Sequence, residues 1–230
     1  EKVEERVKSV LEFWKSGKLN INSNVQFGEG GAGTFSDGKL NTLVKDKENR
    51  CKKVFEIFIE NGAPENILYV NKPHIGTDLL RNVIINMRNK IISNGGVFMY
   101  NTTLTDLIIE DNRLKGIIIN NNEKLYTETL ILAIGHSARD TFNMLYKNKL
   151  NISSKPFAIG VRIIHPQEMI NKSQYGENKY LKTASYKLTH KASNGRGVYS
   201  FCMCPGGFVV NASSENNMLA INGMSNHARN

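Results

Sequence analysis

The chain has 230 residues, of which 40% are hydrophobic and 22% charged, and these values fit one large or two small globular domains. Its net charge of +9 is spread over scattered lysines without a long basic run, which argues against nucleic-acid binding. No apolar run reaches the roughly 20 residues that cross a bilayer. The three cysteines are too few for a disulfide framework, and Cys202 and Cys204 lack a second pair of zinc ligands. Together these features predict a cytoplasmic protein with no membrane partner and no metal site.

Three helices are predicted in the first hundred residues. Apolar residues at helical spacing predict a helix over 1–16 that ends near Gly17. A second helix is predicted over 46–61. A third begins at Thr77, which is suited to the N-cap position, and ends at Gly95 or Gly96. Short strands are predicted at 24–27 and 66–70.

The stretch GEGGAG at 28–33 matches the G-x-G-x-x-G pattern that binds dinucleotide phosphates. That pattern requires a helix immediately after the turn, because the helix N-terminus binds the phosphates. Here the chain continues TFSDGKLNT, which has a turn signal at Asp37-Gly38 and no helical repeat, and Glu29 adds a negative charge. We therefore reject the fingerprint. Five glycines between positions 28 and 38 permit unusual backbone angles and close approach of a ligand, and a flexible surface loop is an interpretation that the stretch alone supports as well.

A three-stranded antiparallel β-meander is predicted after the third helix. Its strands are 97–110, 114–120 and 124–135, joined by the polar turns DNR and NNE. The apolar run LILAI at 130–134 reads as a buried strand that ends at Gly135. Ser137 is expected to cap a helix that runs through Leu145. Ligands of open α/β sheets bind beyond the carboxyl ends of strands, so this edge is a candidate site.

The character of the chain changes near residue 150. Segments beyond this point are strand-like and show few helical repeats, which predicts a β-rich second domain over 151–230. The first residue is not Met and the last residues show no capping signal. We therefore expect the chain to be the middle of a longer protein, with the second domain truncated.

Five blocks occur in an order that resembles FAD-dependent oxidoreductases of the two-dinucleotide-binding-domain type. The blocks are NVQFGEGGAGTFSDGKLNT, KPHIGTDLL, LILAIGHSARDTF, KPFAIGVRIIHPQ and VYSFCMCPGGFVVNASSE. More narrowly, they resemble an uncharacterised bacterial group of predicted FAD-dependent dehydrogenases. The resemblance implies an α/β fold, α+β in part. Residues 1–150 would form part of a Rossmann-like FAD-binding domain that lacks its N-terminal G-x-G-x-x-G unit, and 151–230 would form the substrate domain.

The same resemblance implies a set of cofactor-binding residues. The glycine-rich stretch would lie near the flavin, where Lys39 supplies a positive charge. The meander would meet the adenine, and the residues after the LILAI run would pass close to the cofactor. The implied set is Gly30, Gly31, Gly33, Thr34, Ser36, Lys39, Thr103, Leu104, Gly135 and His136. Alternatively, Lys39 is a solvated loop lysine and His136 caps the following helix.

Two further residues are candidate substrate contacts. His74 lies just before the third helix, and Arg162 lies in an apolar segment predicted to be a strand, with His165 on its other face. A cation in apolar surroundings needs an anionic partner, which is either an acidic substrate or a carboxylate of the protein. The alternative for His74 is a turn residue that bonds the backbone, which is the commoner role of an isolated histidine. No catalytic acid or base is assigned.

By this resemblance, the predicted function is an FAD-dependent oxidoreductase that transfers a hydride between a small-molecule substrate and the flavin N5. NADH or NADPH is the candidate reductant. Two alternatives stay open: a flavin-free module that binds a small anion, and a flavin-dependent enzyme that modifies RNA or tRNA. The periodicity alone supports only an α/β domain followed by a β-rich one.

Overall fold

A computed structural model of the chain describes residues 1–42, 45–178 and 180–229. These residues form two compact units. One unit consists of Val97–Gly160, together with Glu1. The other consists of Lys2–Gly96 and the chain from Val161 onward. The units have different bounds from the predicted domains 1–150 and 151–230, and those domains stay a prediction.

The first helix, α1, spans Val3–Ser16 and confirms the prediction from its apolar spacing. It ends at Gly17, whose φ of 74° is left-handed and whose N–H donates to Phe13 O at 2.8 Å. Its buried face contributes Val10 to a core cluster. The other buried members of that cluster are Val25, Phe35 and Ala212. Residues from both segments of this unit therefore share one core.

Helices α2 (Arg50–Glu60) and α3 (Thr77–Ser93) enclose a second core cluster. Its buried members are Ala63, Ile67, Ile75 and Val83. Helix α2 starts later than predicted because the Asp46 carboxylate accepts from the N–H groups of Arg50, at 2.7 Å, and Cys51, at 3.0 Å. In α3, Gly76 takes the N-cap position that was predicted for Thr77.

Both short strands predicted in this region are wrong. At 24–27, the Asn24 side chain accepts from the N–H groups of Gln26 and Phe27, at 2.9 and 3.2 Å, and so closes a local turn. At 66–70, the chain forms the short 3-10 helix Glu65–Leu68 instead. In both segments, a nearby side chain or backbone carbonyl bonds the backbone N–H groups, so these groups do not need a neighbouring strand.

The unit Val97–Gly160 contains one antiparallel sheet in the order β1, β2, β3. Its strands are β1 (Leu104–Glu110), β2 (Arg113–Ile119) and β3 (Glu123–Tyr126). Asp111 and Asn112 make the first turn with φ of 50° and 59°, which short polar side chains tolerate. Helix α4 (Arg139–Lys147) follows the sheet.

The prediction of a buried strand at 130–134 is wrong. Strand β3 ends at Tyr126, and Ile131 is 86% exposed. A strand buried on both faces needs neighbouring strands, and none pairs with 130–134 among the described residues. The predicted cap is also wrong, because Ala138 rather than Ser137 is the N-cap of α4.

From Val161 onward, the described residues form one helix and four short strands. They are α5 (Gln167–Tyr175), β4 (Thr189–Lys191), β5 (Gly197–Tyr199), β6 (Phe208–Asn211) and β7 (Ile221–Met224). Helix α5 was not predicted; Pro166 precedes it, and Gln167 ties its start to Ala184 O and Gly206 N, at 2.8 and 2.9 Å. The strand predicted around Arg162 and His165 is absent from the described structure.

The whole is a mixed α/β structure with small antiparallel sheets of two or three strands. This agrees with the α+β part of the predicted class, and the Rossmann-like part stays a prediction. Within the described ranges, no helix combines the length and the apolar character that crossing a bilayer requires.

Candidate functional site

The glycine-rich stretch is shaped by a buried arginine. Arg6 on α1 is fully buried and donates to three backbone carbonyls, those of Asn24 at 2.9 Å, Val25 at 2.8 Å and Glu29 at 2.7 Å. These carbonyls satisfy the guanidinium, which otherwise loses its hydration on burial. Arg6 therefore fixes the path of the backbone into the glycines.

Close packing explains two of the glycines. A Cβ at Gly28 would clash with Arg6, and a Cβ at Gly30 would clash with Ile84 of α3. Gly31 has a φ of 62°, and a Cβ there would meet no atom within 4 Å. A Cβ at Gly33 would make an ordinary contact with Leu80, at 3.7 Å. The stretch is therefore an ordered layer against α3, and its cofactor contacts stay a prediction.

Glu29 points into the protein. Its carboxylate accepts from Arg88 Nη1 at 2.7 Å and from the N–H of Val3 at 2.8 Å. Arg88 also donates to Glu4 at 3.0 Å, and this hydrogen bond lowers the pKa of Glu4. The negative charge that counted against the dinucleotide fingerprint is thus neutralised within the fold.

Thr34 and Ser36 are both engaged by protein groups. Thr34 is fully buried, and Arg6 Nη1 lies 3.4 Å from its hydroxyl. Its carbonyl accepts from the Thr77 hydroxyl at 2.6 Å, which fastens the stretch to the first turn of α3. The Ser36 hydroxyl donates to Gly33 O at 3.1 Å. Their predicted contacts with a cofactor stay a prediction.

Lys39 and His74 lie side by side in an isolated antiparallel bridge. The backbone pairing continues on both sides, with Leu40 N donating to Pro73 O at 3.0 Å and Ile75 N donating to Gly38 O at 3.1 Å. Two residues that were selected for separate reasons are therefore neighbours. This bridge forms one wall of a polar cluster centred on Asp37.

Asp37 is the buried centre of this cluster. Its carboxylate lies 3.1 Å from Arg229 Nη2 and 3.5 Å from Lys39 Nζ, and it accepts from the Ser225 hydroxyl. Lys39 Nζ also donates to Met203 O. We call Asp37, Lys39, His74, Ser225, His227 and Arg229 the Asp37 cluster. It joins parts of the chain that are more than 180 residues apart.

His74 has two contacts that need opposite proton placements. Its Nε2 lies 3.0 Å from His227 O, which requires a proton on Nε2, and 3.1 Å from Arg229 Nε, which requires a lone pair there. Burial, together with the Arg229 charge, lowers the pKa of His74. A neutral imidazole can satisfy only one of these two contacts at a time, because Nε2 donates in one tautomer and accepts in the other.

The His227 segment is held tightly against the first turn of α3. The His227 N–H donates to Asp78 Oδ1 at 2.8 Å, and its ring stacks on His74 with centroids 5.3 Å apart. Gly76 has a φ of 87°, and a Cβ there would clash with the backbone of His227. Only glycine permits this approach.

Cys204 and Arg162 both lie beside Gly223. A Cβ built on Gly223 would lie 3.0 Å from Cys204 Sγ and 3.6 Å from Arg162 Nη1. Burial and then the Asp37 charge raise the pKa of the Cys204 thiol, so the thiol is protonated at neutral pH. No carboxylate pairs with Arg162 in the part of the chain that the structure describes.

The Asp37 cluster carries more positive than negative charge. Lys39 and Arg229 share the single Asp37 carboxylate, and both are partly exposed, at 28% and 19%. One positive charge is therefore left for a partner that approaches from solvent. The chemistry of this donor set suits an anion with several hydrogen-bond acceptors.

The other four predicted cofactor residues belong to the unit Val97–Gly160. Thr103 precedes β1, where it exchanges hydrogen bonds with Asn120, and Leu104 pairs with Ile119. A Cβ at Gly135 would meet nothing within 4 Å. The exposed His136 bonds the Ser137 hydroxyl through Nδ1 at 2.8 Å. Their joint role with the glycine-rich stretch stays a prediction.

Sequence reasoning missed most of the Asp37 cluster, namely Asp37, Ser225, His227 and Arg229. Arg6 and Arg88 did carry a signal, because each interrupts an apolar helical stripe. No group of three or more His, Cys, Asp or Glu suited to a metal is found within 1–42, 45–178 and 180–229. Two shallow depressions of about 310 and 370 Å³ lie elsewhere, on the β4–β5 hairpin and beside α2.

Comparisons with known proteins agree with a flavin-related assignment. Residues 156–230 match a family described as "FAD-dependent protein, C-terminal domain-like". A protein of Clostridium beijerinckii, described as an uncharacterised protein, is 52% identical over 233 residues, which cover 100% of this chain and 43% of that protein. The chain therefore spans less than half the length of this curated relative. The matched family segment contains the part of the Asp37 cluster that follows residue 161.

Proposed function

We propose that the chain is part of an FAD-dependent oxidoreductase that passes a hydride between a small-molecule substrate and the flavin N5. The supporting observation is the Asp37 cluster, whose two partly exposed cations share one buried carboxylate. The similarity of residues 156–230 to an FAD-dependent domain supports the same assignment. NADH or NADPH is the proposed reductant.

The donor set of the Asp37 cluster fits a flavin. FAD supplies hydride-transfer chemistry when bound, and a nearby positive charge tunes its electronics. Lys39 is positioned for this role because Asp37 and Met203 O hold its ammonium group while 28% of its side chain stays exposed. His74 is neutral, so it adds a hydrogen-bonding group without adding charge.

The remaining contacts are part of the proposal. Gly30, Gly31 and Gly33 would let the cofactor approach the backbone, and the residues at 103–104 and 135–136 would complete its site. Arg162 would bind an acidic group of the substrate, since it has no carboxylate partner among the described residues. No side chain is proposed as catalytic acid or base.

The test begins with the visible absorption spectrum of the longer protein, purified beside the 230-residue chain. We expect a flavin band in the longer protein. Binding of added FAD to the chain is followed through Trp14, the one tryptophan, whose indole packs against Phe35 with centroids 6.1 Å apart. Absence of flavin from the longer protein, even after incubation with FAD, would sink the proposal.

A pair of variants tests the role of Lys39. Lys39→Met keeps the length of the side chain and removes its charge, and we expect about tenfold or greater weakening of FAD binding to the longer protein. Lys8→Met removes an equal charge from the exposed face of α1 and should leave binding unchanged. If the two variants bind FAD with equal affinity, Lys39 does not contact the cofactor.

A flavin-free module that binds a small anion is the second candidate. The unshared positive charge of the Asp37 cluster favours it as directly as it favours a flavin. Two measurements distinguish this module from the flavoenzyme. The module would bind citrate or phosphate at the Asp37 cluster, and the longer protein would purify without a flavin band.

A further inference from the structure

Helices α1 and α3 carry three arginines, Arg6, Arg81 and Arg88, and two of these have hydrogen-bonding partners in the protein. Arg6 donates to three carbonyls, and Arg88 bonds the carboxylates of Glu4 and Glu29. Arg81 lies two turns before Arg88 on α3, on the same face. It differs from both, because no hydrogen bond or ion pair to it occurs among the described residues.

The Arg81 side chain lies against the end of the glycine-rich stretch. Its Cζ is 5.1 Å from the centroid of the Phe35 ring, and the Arg6 Cζ is 4.9 Å from the same centroid. Phe35 is fully buried and is the last residue of the 3-10 helix Ala32–Phe35. Two guanidinium groups therefore contact one ring, and the second of them has no acceptor.

The Arg81 Nε is shielded from solvent although it has no partner. Burial accordingly lowers the pKa of Arg81, and the charge of Asp78 opposes this only in part. A guanidinium nevertheless stays protonated at neutral pH. An unpartnered buried donor is rare in native proteins, and an ion or ligand is a common explanation for one.

We infer that Arg81 binds a phosphate group that lies beside the glycine-rich stretch. The guanidinium offers a planar fork of donors that matches the oxygens of a phosphate. Gly31 lies four residues before Phe35, and the side of Gly31 that a Cβ would occupy is open for 4 Å, so the glycine-rich stretch leaves space for such a group. The phosphate belongs either to a dinucleotide cofactor, as the proposed function requires, or to a free phosphate ester.

A purely structural role for Arg81 makes the opposite prediction about stability. If the guanidinium only packs on Phe35, its removal should destabilise the fold. If the guanidinium instead serves to bind an anion, removal of its partly desolvated charge should leave the ligand-free protein equally stable or more stable. Arg81→Met separates these cases because methionine retains apolar contact with the ring.

The experiment uses the 230-residue chain and inorganic pyrophosphate as the probe. Binding is measured by isothermal titration calorimetry and by the thermal midpoint, at constant ionic strength set with NaCl. We expect saturable binding by the natural chain and at least about tenfold weaker binding by Arg81→Met. Arg81→Lys should give intermediate affinity. Lys90→Met removes a cation from an exposed position on the same helix and should bind like the natural chain.

Three results would overturn the inference: equal pyrophosphate affinity in Arg81→Met, a marked loss of stability in that variant without ligand, or the same stabilisation by NaCl alone. Competition identifies the source of the phosphate. Displacement of pyrophosphate by FAD, but not by riboflavin, assigns the site to the cofactor. Displacement by ADP while the longer protein carries no flavin would refute the proposed function and leave the Arg81 site standing.

Discussion

The two charged regions beside the glycine-rich stretch differ in how completely their charges are matched. Around Arg6 and Arg88, each guanidinium has carbonyl or carboxylate partners, and little of either side chain is exposed. In the Asp37 cluster, Lys39 and Arg229 share one carboxylate and remain partly exposed. The first region is built to hold backbone in place, and the second retains charge for a partner.

The two regions differ in whether each charged side chain has its own partner, and not only in how deeply the side chains are buried. A buried ion pair contributes little net stability, but removal of one partner leaves an uncompensated charge or polar group. The Arg6 region should therefore respond to mutation through stability. The Asp37 cluster should respond mainly through affinity, thiol reactivity and pH dependence.

The largest expected effect is that of Arg6→Ala. It leaves the carbonyls of Asn24, Val25 and Glu29 without their donor, and we expect a loss of about 3–5 kcal/mol in the free energy of unfolding. Urea denaturation followed by Trp14 fluorescence measures this loss. Lys8→Ala, on the exposed face of the same helix, is the control. A loss for Arg6→Ala as small as the control's would refute a structural role for Arg6.

Gly76→Ala should destabilise the fold by about 2–4 kcal/mol, because alanine is strained at a φ of 87° and its Cβ clashes with His227. Gly17→Ala supplies a matched control, since Gly17 has a φ of 74° and open space around it. The excess loss for Gly76→Ala over Gly17→Ala measures the clash. Equal losses would mean that the His227 segment does not pack there in solution.

Asp37→Asn should cost about 1–3 kcal/mol, because the amide keeps one accepting oxygen and replaces the other with a donor that faces the donors of the cluster. Its clearer effect is on Cys204, whose thiol pKa should fall because the Asp37 charge helps to raise it. The measurement is the pH dependence of alkylation by iodoacetamide in a Cys51→Ser, Cys202→Ser background. If the pH dependence of alkylation is unchanged, the Asp37 charge does not act on the Cys204 thiol.

The smallest effect concerns the pH dependence of stability. The pKa of His74 is lowered from its ordinary value of 6.5, so the unfolded chain takes up a proton before the folded one does. Stability from this group is complete above about pH 7 and declines as the pH falls below 6.5. Thermal midpoints between pH 5 and 7.5 should decline less in His74→Asn than in the natural chain. Parallel curves would contradict the assigned environment.

Local elements were predictable from the sequence, and the Asp37 cluster was not. Helices α1 and α3 follow from apolar spacing and glycine stops. The failed strand at 130–134 shows the limit of periodicity, because an apolar run does not specify whether a partner strand exists. The failed strand at 24–27 has another cause, namely the turn that the Asn24 side chain closes. Lys39 and His74 were selected individually, but only the backbone bridge between them shows that they share a site.

The remote members of the Asp37 cluster carried no local signal. Ser225, His227 and Arg229 lie in a polar segment whose composition fits an ordinary surface loop. Their role depends on contacts with residues 37 and 74–78, at sequence separations that no spacing rule covers. The sequence likewise showed no sign of Arg81, because what distinguishes Arg81 is the missing hydrogen-bond partner of its buried Nε, and only the fold reveals that.

The reach of the Asp37 cluster along the chain has a consequence for biosynthesis. Residues 2–96 share a unit with the chain from residue 161 onward, and contacts such as Ser225 to Asp37 close it. At about 5–20 residues per second, the early segment waits roughly 7–27 s before its last partners are made. The continuous unit Val97–Gly160 faces no such delay. During this interval the glycine-rich stretch and Asp37 lack the partners that the later segment supplies.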